Sequence, residues 1–195
     1  MRDNSQAPMA DTIQESSEQG EQIVIVEYNP RWPALFEEEK ARILGLIHAW
    51  VESVEHIGST SVPGLGAKPI IDIMVGIRSL ADAPECISRL ETIGYEYVPK
   101  HEAVLPLRRF FHKSATPCAR THHLHMVEPT GEFWERHILF RDALRANPET
   151  ARQYYELKKA LAARFGSDRD SYTDAKTSFI EAVVTRARKE RSTEY

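Results

Sequence analysis

Cysteine is scarce in this sequence: Cys86 and Cys118 are the only two among 195 residues. Two thiols, neither of them in a C-x-x-C pair, cannot build a disulfide framework. A reducing, cytoplasmic setting is therefore expected, with no disulfide-linked partner. Long apolar runs are lacking too. No stretch approaches the ~18 residues that a membrane-spanning helix needs, so no membrane partner is expected. The first twenty residues lack the apolar stretch of a signal peptide and are too poor in arginine for a transit peptide. Charge of a single sign is also missing: the net charge is −4, and residues 1–20 carry −3 of it through Arg2 against Asp3, Asp11, Glu15 and Glu18. The remainder is near neutral, so global charge neither favours nor excludes nucleic acid. What is present, 42% hydrophobic and 28% charged residues, is the composition of a globular domain. A chain of this length fits one domain, which can bury roughly 70% of its unfolded surface without staples.

Residues 1–20, rich in Ser, Gln, Asp and Glu, read as a disordered leader. Residues 21–188 read as one domain and 189–195 as a charged tail. A short buried strand is expected over Gln22–Tyr28, broken by Asn29-Pro30. Pro33–Ala49 reads as a helix with Phe36, Ile43, Leu44 and Ile47 on one face. Val51–Ile57 and the strongly apolar Pro69–Ile77 read as strands flanking a Gly/Ser loop, Gly58 to Gly66. Asp82 followed by Glu85 is a capping-box signature, and the helix it opens is expected to run to about Gly94. Tyr95–Pro99, Leu107–His112 and Thr121–Glu128 are further strand candidates. The last third reads as three helices: Glu132–Ala146, a second opening at Asn147-Pro148 and closing before Gly166, and Tyr172–Arg188. This order of elements is α+β.

Several constellations could carry chemistry. In the loop after the first of these strands, Gly58 lets backbone approach a ligand and successive N–H groups can cradle an anion. Ser59, Thr60 and Ser61 add hydroxyls. The competing reading is a plain tight turn. Asp72 interrupts the apolar run Ile70-Ile71-Asp72-Ile73-Met74-Val75. An ionised carboxylate is rarely buried unless paired or bound to metal, so it reads as a ligand, a general base or half of a buried ion pair, with Lys68 one candidate partner. In Thr121-His122-His123-Leu124-His125, a strand would point His123 and His125 to one face. With Asp72 they would offer two imidazoles and a carboxylate to a divalent ion, or hydrogen bonds to phosphate, or nothing but packing. No acidic residue lies between Ala103 and Val127, whereas Arg108, Arg109, Lys113 and Arg120 do. That suits a phosphate-bearing ligand, either nucleotide or RNA, unless acids elsewhere balance it. Arg141, Asp142, Arg145, Lys158, Tyr172 and Lys176 form a polar set on the C-terminal helices that is uninformative by itself.

Taken together, these residues resemble the GrpB family. Tyr28-Asn29-Pro30-Arg31-Trp32-Pro33 resembles that family's opening motif. His56-Ile57-Gly58-Ser59-Thr60-Ser61-Val62-Pro63-Gly64-Leu65, followed by Ala67-Lys68-Pro69-Ile70-Ile71-Asp72-Ile73, resembles its central motif. His123-Leu124-His125, Phe140-Arg141-Asp142, Tyr154 and Tyr155 with Leu157-Lys158, and Tyr172 with Lys176 resemble its later ones. The match runs from about Ile23 to Arg186. The resemblance implies a nucleotidyltransferase-like fold, a mixed β-sheet flanked by helices with a helical C-terminal third. In that superfamily a Gly-Ser motif precedes a strand bearing paired carboxylates that hold two divalent ions, and Gly58-Ser59 and Asp72 map onto those features. This chain departs from the pattern. Met74 stands where the second carboxylate belongs, and His123 or His125 where a third is expected. Asp72 with His125 could still hold one ion, Mg or Mn.

Three functions follow from the residues and the resemblance. In a nucleotidyl-type transferase, Gly58, Ser59 and Thr60 would hold phosphate and Asp72 the metal. Ser59, Lys68 and His125 would join Asp72 as catalytic groups, and Arg109, His123, Arg141, Lys158, Tyr172 and Lys176 would bind substrate. The resemblance to fungal members linked to arginine-containing cyclodipeptide synthesis implies instead an aminoacyl-tRNA partner held by Arg108, Arg109, Lys113 and Arg120. A nucleotide- or anion-binding module without catalysis is the third.

Overall fold

The computed structural model of the chain describes residues 22–116 and 119–193. The expected leader (1–20) and Cys118 lie outside them, and residues 189–193 of the expected tail continue the last helix. A five-stranded mixed sheet is built from β1 (Val51–Ile57), β2 (Ile71–Ile77), β3 (Tyr95–Tyr97), β4 (Arg109–Thr116) and β5 (Ala119–Val127). Their order across the sheet is β1-β2-β5-β4-β3. Only the central pair, β2 with β5, is parallel. The helices are α1 (Trp32–Ile47), α2 (Ala83–Glu91), α3 (Glu132–Ala146), α4 (Pro148–Phe165), α5 (Arg169–Asp174) and α6 (Thr177–Thr193). This is the α+β class read from the sequence. None of the described helices is long and apolar enough to cross a membrane.

The period-two geometry of a strand sorts the two faces of the sheet. Ile71, Ile73, Val75 and Ile77 of β2 join Phe111, Leu124 and Met126 in the main core under α1 and α2. The alternate residues Asp72 and Met74 turn to the other face. There Met74, Ile57 and Val127 pack against Phe133, Trp134 and Ile138 of α3. Helices α4 and α6 extend that layer through Leu65, Leu144, Tyr154 and Phe179.

Four sequence expectations are corrected. Gln22–Tyr28 is not a strand: Val26 makes a single bridge to Ala67, because the segment runs along the helical layer, where Ile23 packs with Leu161 and Tyr172. The Asp82–Glu85 box does not form. Asp82 gives no side-chain cap to α2, and the side chain of Ser79 caps the preceding turn instead. Strand β4 starts later and runs further than Leu107–His112, since the polar ends of the β4–β5 hairpin pair through backbone and leave no apolar signal. The expected helix Tyr172–Arg188 is two helices. Asp168 caps α5 by accepting from the Ser171 N–H at 3.1 Å, and the chain turns at Ala175-Lys176. Tyr172 can then pack on Ile23 and Leu161 while Phe179 stacks on Tyr154, which one straight helix could not do. Conversely, the Asn147 cap of α4 forms as expected, accepting from the Thr150 N–H at 2.9 Å.

Glu39 of α1 is only 2% exposed. Its carboxylate receives the Lys113 ammonium at 2.8 Å and the Arg42 guanidinium at 3.3 Å. A buried charge is tolerable when paired, and removing one partner is expensive. Lys113→Met is expected to lower the unfolding free energy by about 2 kcal/mol, read by chemical denaturation, and the double variant with Glu39→Gln to recover part of the loss.

Candidate functional site

Strand β1 ends at Ile57 and the chain enters the turn Ser59–Ser61 through Gly58, whose φ is 67°. L side chains disfavour this region, but space is the stronger constraint. A Cβ on Gly58 would sit 2.3 Å from Asp72 Oδ2, so the missing side chain is what leaves room for the carboxylate. The turn is fastened on several sides. The Ser61 hydroxyl donates to the Gly58 carbonyl at 2.6 Å, and Arg145 donates to the Ser61 carbonyl at 2.8 and 3.1 Å. Buried Thr60 donates to the Ile70 carbonyl at 3.2 Å and accepts from His56 at 3.0 Å. Burial pushes the His56 imidazole down to about 4, opposed by Asp72 and reinforced by Arg145 and Arg141.

The parallel register places Asp72 opposite His123 and Met74 opposite His125. Asp72 Oδ1 and His123 Nδ1 are 3.1 Å apart, so the ring N–H donates to the carboxylate. His123 Nε2 is buried and has no hydrogen-bond partner. His125 is held differently. Its Nδ1 accepts from Arg108 at 3.3 Å, which leaves its proton on Nε2. Burial, then the Arg108 and His137 charges, push its protonation well below the usual histidine range.

Both histidines and Asp72 open on a cavity of about 340 Å³, which Gly58, Ser59, Thr60 and Lys68 also line. Helices complete it. Lys158 of α4 is 3% exposed and donates to the Gly66 carbonyl at 2.5 Å. Burial, then the neighbouring Lys176 charge, pull the Lys158 ammonium down to about 7, against Asp72. Lys176, at the turn between α5 and α6, is pulled down to about 8 by burial and by Lys68. Each ammonium lies over a tyrosine ring four residues earlier in the chain. Lys158 is 5.0 Å from the Tyr154 centroid and Lys176 is 4.1 Å from that of Tyr172. Burial raises both phenols, Tyr172 to about 12, so neither supplies an anion to the lysines. Among the described residues, neither lysine has a carboxylate within ion-pair distance, and Asp72 is the one acidic side chain lining the cavity.

Two expected substrate-binding residues lie elsewhere. Arg141 pins α3 to β1, donating to Glu55 at 2.6 Å, to Asp142 at 2.7 Å and to the His56 carbonyl at 3.2 Å. Arg109 pairs with Glu102 at 3.2 Å and donates to the Pro106 carbonyl. Nor does the acid-free stretch form a basic surface of four cations, since Arg108 packs inside, Arg109 is paired and Lys113 serves Glu39. Sequence reasoning missed Arg136 and His137 as lining groups, and gave Tyr154 only as part of a family motif and not as a site residue. For Tyr154 a signal existed: the spacing Tyr-x-x-x-Lys occurs at 154/158 and again at 172/176.

Gly58→Ala is expected to displace the Asp72 carboxylate and break its bond to His123. A crystal structure of the variant checks this, and the loss should appear as altered His123 ring chemical shifts by NMR with the fold retained.

Comparison with known proteins places this architecture. The family model described as GrpB protein matches residues 22–186. The "Glutamate-rich protein GrpB" of Alkalihalophilus pseudofirmus is 36% identical over 166 residues, 84% of this chain and 94% of that protein. The "UPF0157 protein YqkA" of Bacillus subtilis is 38% identical over 167 residues, 86% of this chain, which spans about half (48%) of that protein. The crystal structure of conserved protein GrpB from Enterococcus faecalis matches with a TM-score of 0.78 at 38% identity, covering 86% of this chain and 99% of that one. The chain belongs to the GrpB family.

Proposed function

We propose that the cavity binds a phosphate-bearing small molecule of nucleotide type and transfers a group from it, with His123 as general base. The observation that carries the reading is the pair of ammonium groups, Lys158 buried and Lys176 half-buried, facing a cavity whose lining supplies one carboxylate. An uncompensated buried cation is unfavourable, and an anionic ligand relieves it. The similarity to a "Dephospho-CoA kinase" of Mycolicibacterium paratuberculosis, 27% identical over 85% of this chain and 46% of that protein, is in keeping with a nucleotide-like ligand.

In the proposed step the phosphate chain lies between the Gly58-Ser59 turn and the two lysines. An acceptor hydroxyl attacks the phosphorus of the transferred group, and its proton passes to His123 Nε2. Asp72, bonded to His123 Nδ1, orients the ring and stabilises the imidazolium that forms. The bond from phosphorus to the departing phosphate oxygen breaks, and the leaving group's charge is taken up by Lys158 and Lys176. The superfamily likeness also implies divalent ions, and the donor set fits them poorly. Asp72 Oδ1 is occupied by His123, Met74 replaces the second carboxylate, and His125 presents an N–H rather than a lone pair.

A second reading, an aminoacyl-tRNA-dependent cyclodipeptide synthase, uses the same dyad to deprotonate an amine. The internal engagement of Arg108, Arg109 and Lys113 weakens it.

Mass spectrometry of host extracts expressing the wild type or Asp72→Ala separates the readings. A product heavier by a nucleoside monophosphate, absent with the variant, supports nucleotidyl transfer. An RNase-sensitive cyclodipeptide containing arginine supports the second reading. Identical extracts leave binding without transfer.

Binding is tested separately by calorimetry with AMP and with sulfate, whose charge is fixed in the range of interest. Anion binding favours the protonated lysines, so sulfate affinity is expected to fall as pH rises through about 7 and about 8. Lys158→Met is expected to weaken AMP binding about 10- to 100-fold, the loss of one charge-assisted hydrogen bond. Its apo melting temperature is expected to change little, because relief of a buried cation without a carboxylate partner offsets the lost bond to the Gly66 carbonyl. Asp72→Asn is expected to keep the fold, tighten sulfate binding and abolish transfer.

A further inference from the structure

Beyond the anion cavity, on the far side of His125 and Phe133, lies a second cavity of about 400 Å³. Its walls are largely apolar: Leu80, Leu105, Pro106, Leu107, Val127 and Phe133. Leu107 is 73% exposed at its rim. An apolar cavity of this size is a common form of small-molecule site. Arg136 lines both cavities.

The floor carries an unusual cation. The Arg108 guanidinium is sandwiched between the Phe110 and Phe133 rings, 5.2 and 5.5 Å from their centroids. Its one hydrogen bond is to His125, and its Nε is buried without a partner. Burial lowers its affinity for its proton. Among the described residues it pairs with no carboxylate. The other charges at this cavity are engaged. Arg136 binds Glu181 at 2.6 Å, Glu128 accepts from the Leu80 N–H at 2.9 Å, and Glu132 reaches Arg188 at 3.8 Å. Aromatic faces hold the guanidinium fork rigid and partly dehydrated, the state in which it binds a planar carboxylate most strongly. The two glutamates nearby disfavour a dianion, and the apolar walls disfavour a sugar phosphate.

We infer that this second cavity binds an apolar monocarboxylate, an arylalkanoic or medium-chain aliphatic acid, with its carboxylate on Arg108 and its hydrocarbon body against Leu105, Leu107 and Phe133. The acid sits beside the anion cavity, one wall away, with Arg108 passing its state to His125. The inference rests on Arg108 and not on the two lysines, so it stands apart from the proposed transfer reaction.

The test titrates the full chain with phenylpropionate, phenylbutyrate, hexanoate and octanoate, each against its uncharged amide, by calorimetry and ligand-observed NMR. At least one acid is expected to bind about 10-fold or more tightly than its amide. Arg108→Gln is expected to remove that preference. Because that variant could disturb the Phe110–Phe133 sandwich, Leu107→Asp serves as a second one. Leu107 is exposed, so the fold is kept, and the added carboxylate is expected to weaken the acid about 10-fold while sparing the amide. Lys158→Met, which acts on the other cavity, is expected to leave acid binding unchanged. The inference is overturned if no acid binds, if acid and amide bind alike, if Leu107→Asp has no effect, or if Lys158→Met abolishes acid binding.

Discussion

Everything in the candidate site depends on one close approach, the Asp72 carboxylate in the space that a side chain on Gly58 would fill. A carboxylate on a central strand is only partly hydrated, and the Asp72 side chain, 28% exposed, takes part of its stabilisation from neighbouring groups. The His123 ring, one strand over in parallel register, supplies one. The lysines of the helical layer supply a more distant attraction. The tight turn at Gly58, its fastening by Ser61, Thr60 and Arg145, and the packing of α3 and α4 over it all serve to keep that carboxylate where it is.

The same constraint explains why the lysines are tolerable. Lys158 is buried and Lys176 half-buried, each over a tyrosine ring, and in each case a π face and a nearby carboxylate charge offset part of the lost hydration. The offset is incomplete, which is why both ammonium groups are pulled toward neutrality. That condition is what the proposed anionic ligand would relieve, its charge restoring what burial removed. The structural core on the opposite face is arranged on the contrary plan. There Glu39 is buried with both its cations in contact, and nothing is left over for a ligand.

Much of the site was legible in the residues themselves. Asp72 announces itself as a carboxylate in an apolar strand, and His-x-His on a strand fixes a shared face. The helix boundaries at Asn147-Pro148 and Gly166 were legible for the same reason: they are local, set by a cap and a chain terminator. What was not legible depended on partners far away in sequence. Arg141 and Arg109 looked like ligand-binding cations, yet Glu55 lies 86 residues from Arg141 and takes its guanidinium into a structural pair. The Tyr172–Arg188 segment has one helical periodicity, and only competition between two hydrophobic clusters for Tyr172 and Phe179 breaks it.

By itself the sequence determined the α+β order, the Gly-Ser turn ahead of an acidic strand and the family to which the chain belongs, since each is written in contiguous residues and short-range sterics. Only the tertiary structure decided that Asp72 bonds His123, that His125 is turned to Arg108, and that Lys158 and Lys176 converge on one cavity. Those contacts arise from strand register and helix packing between segments as many as a hundred residues apart, where pairing of charges and burial, rather than local spacing, select the partner.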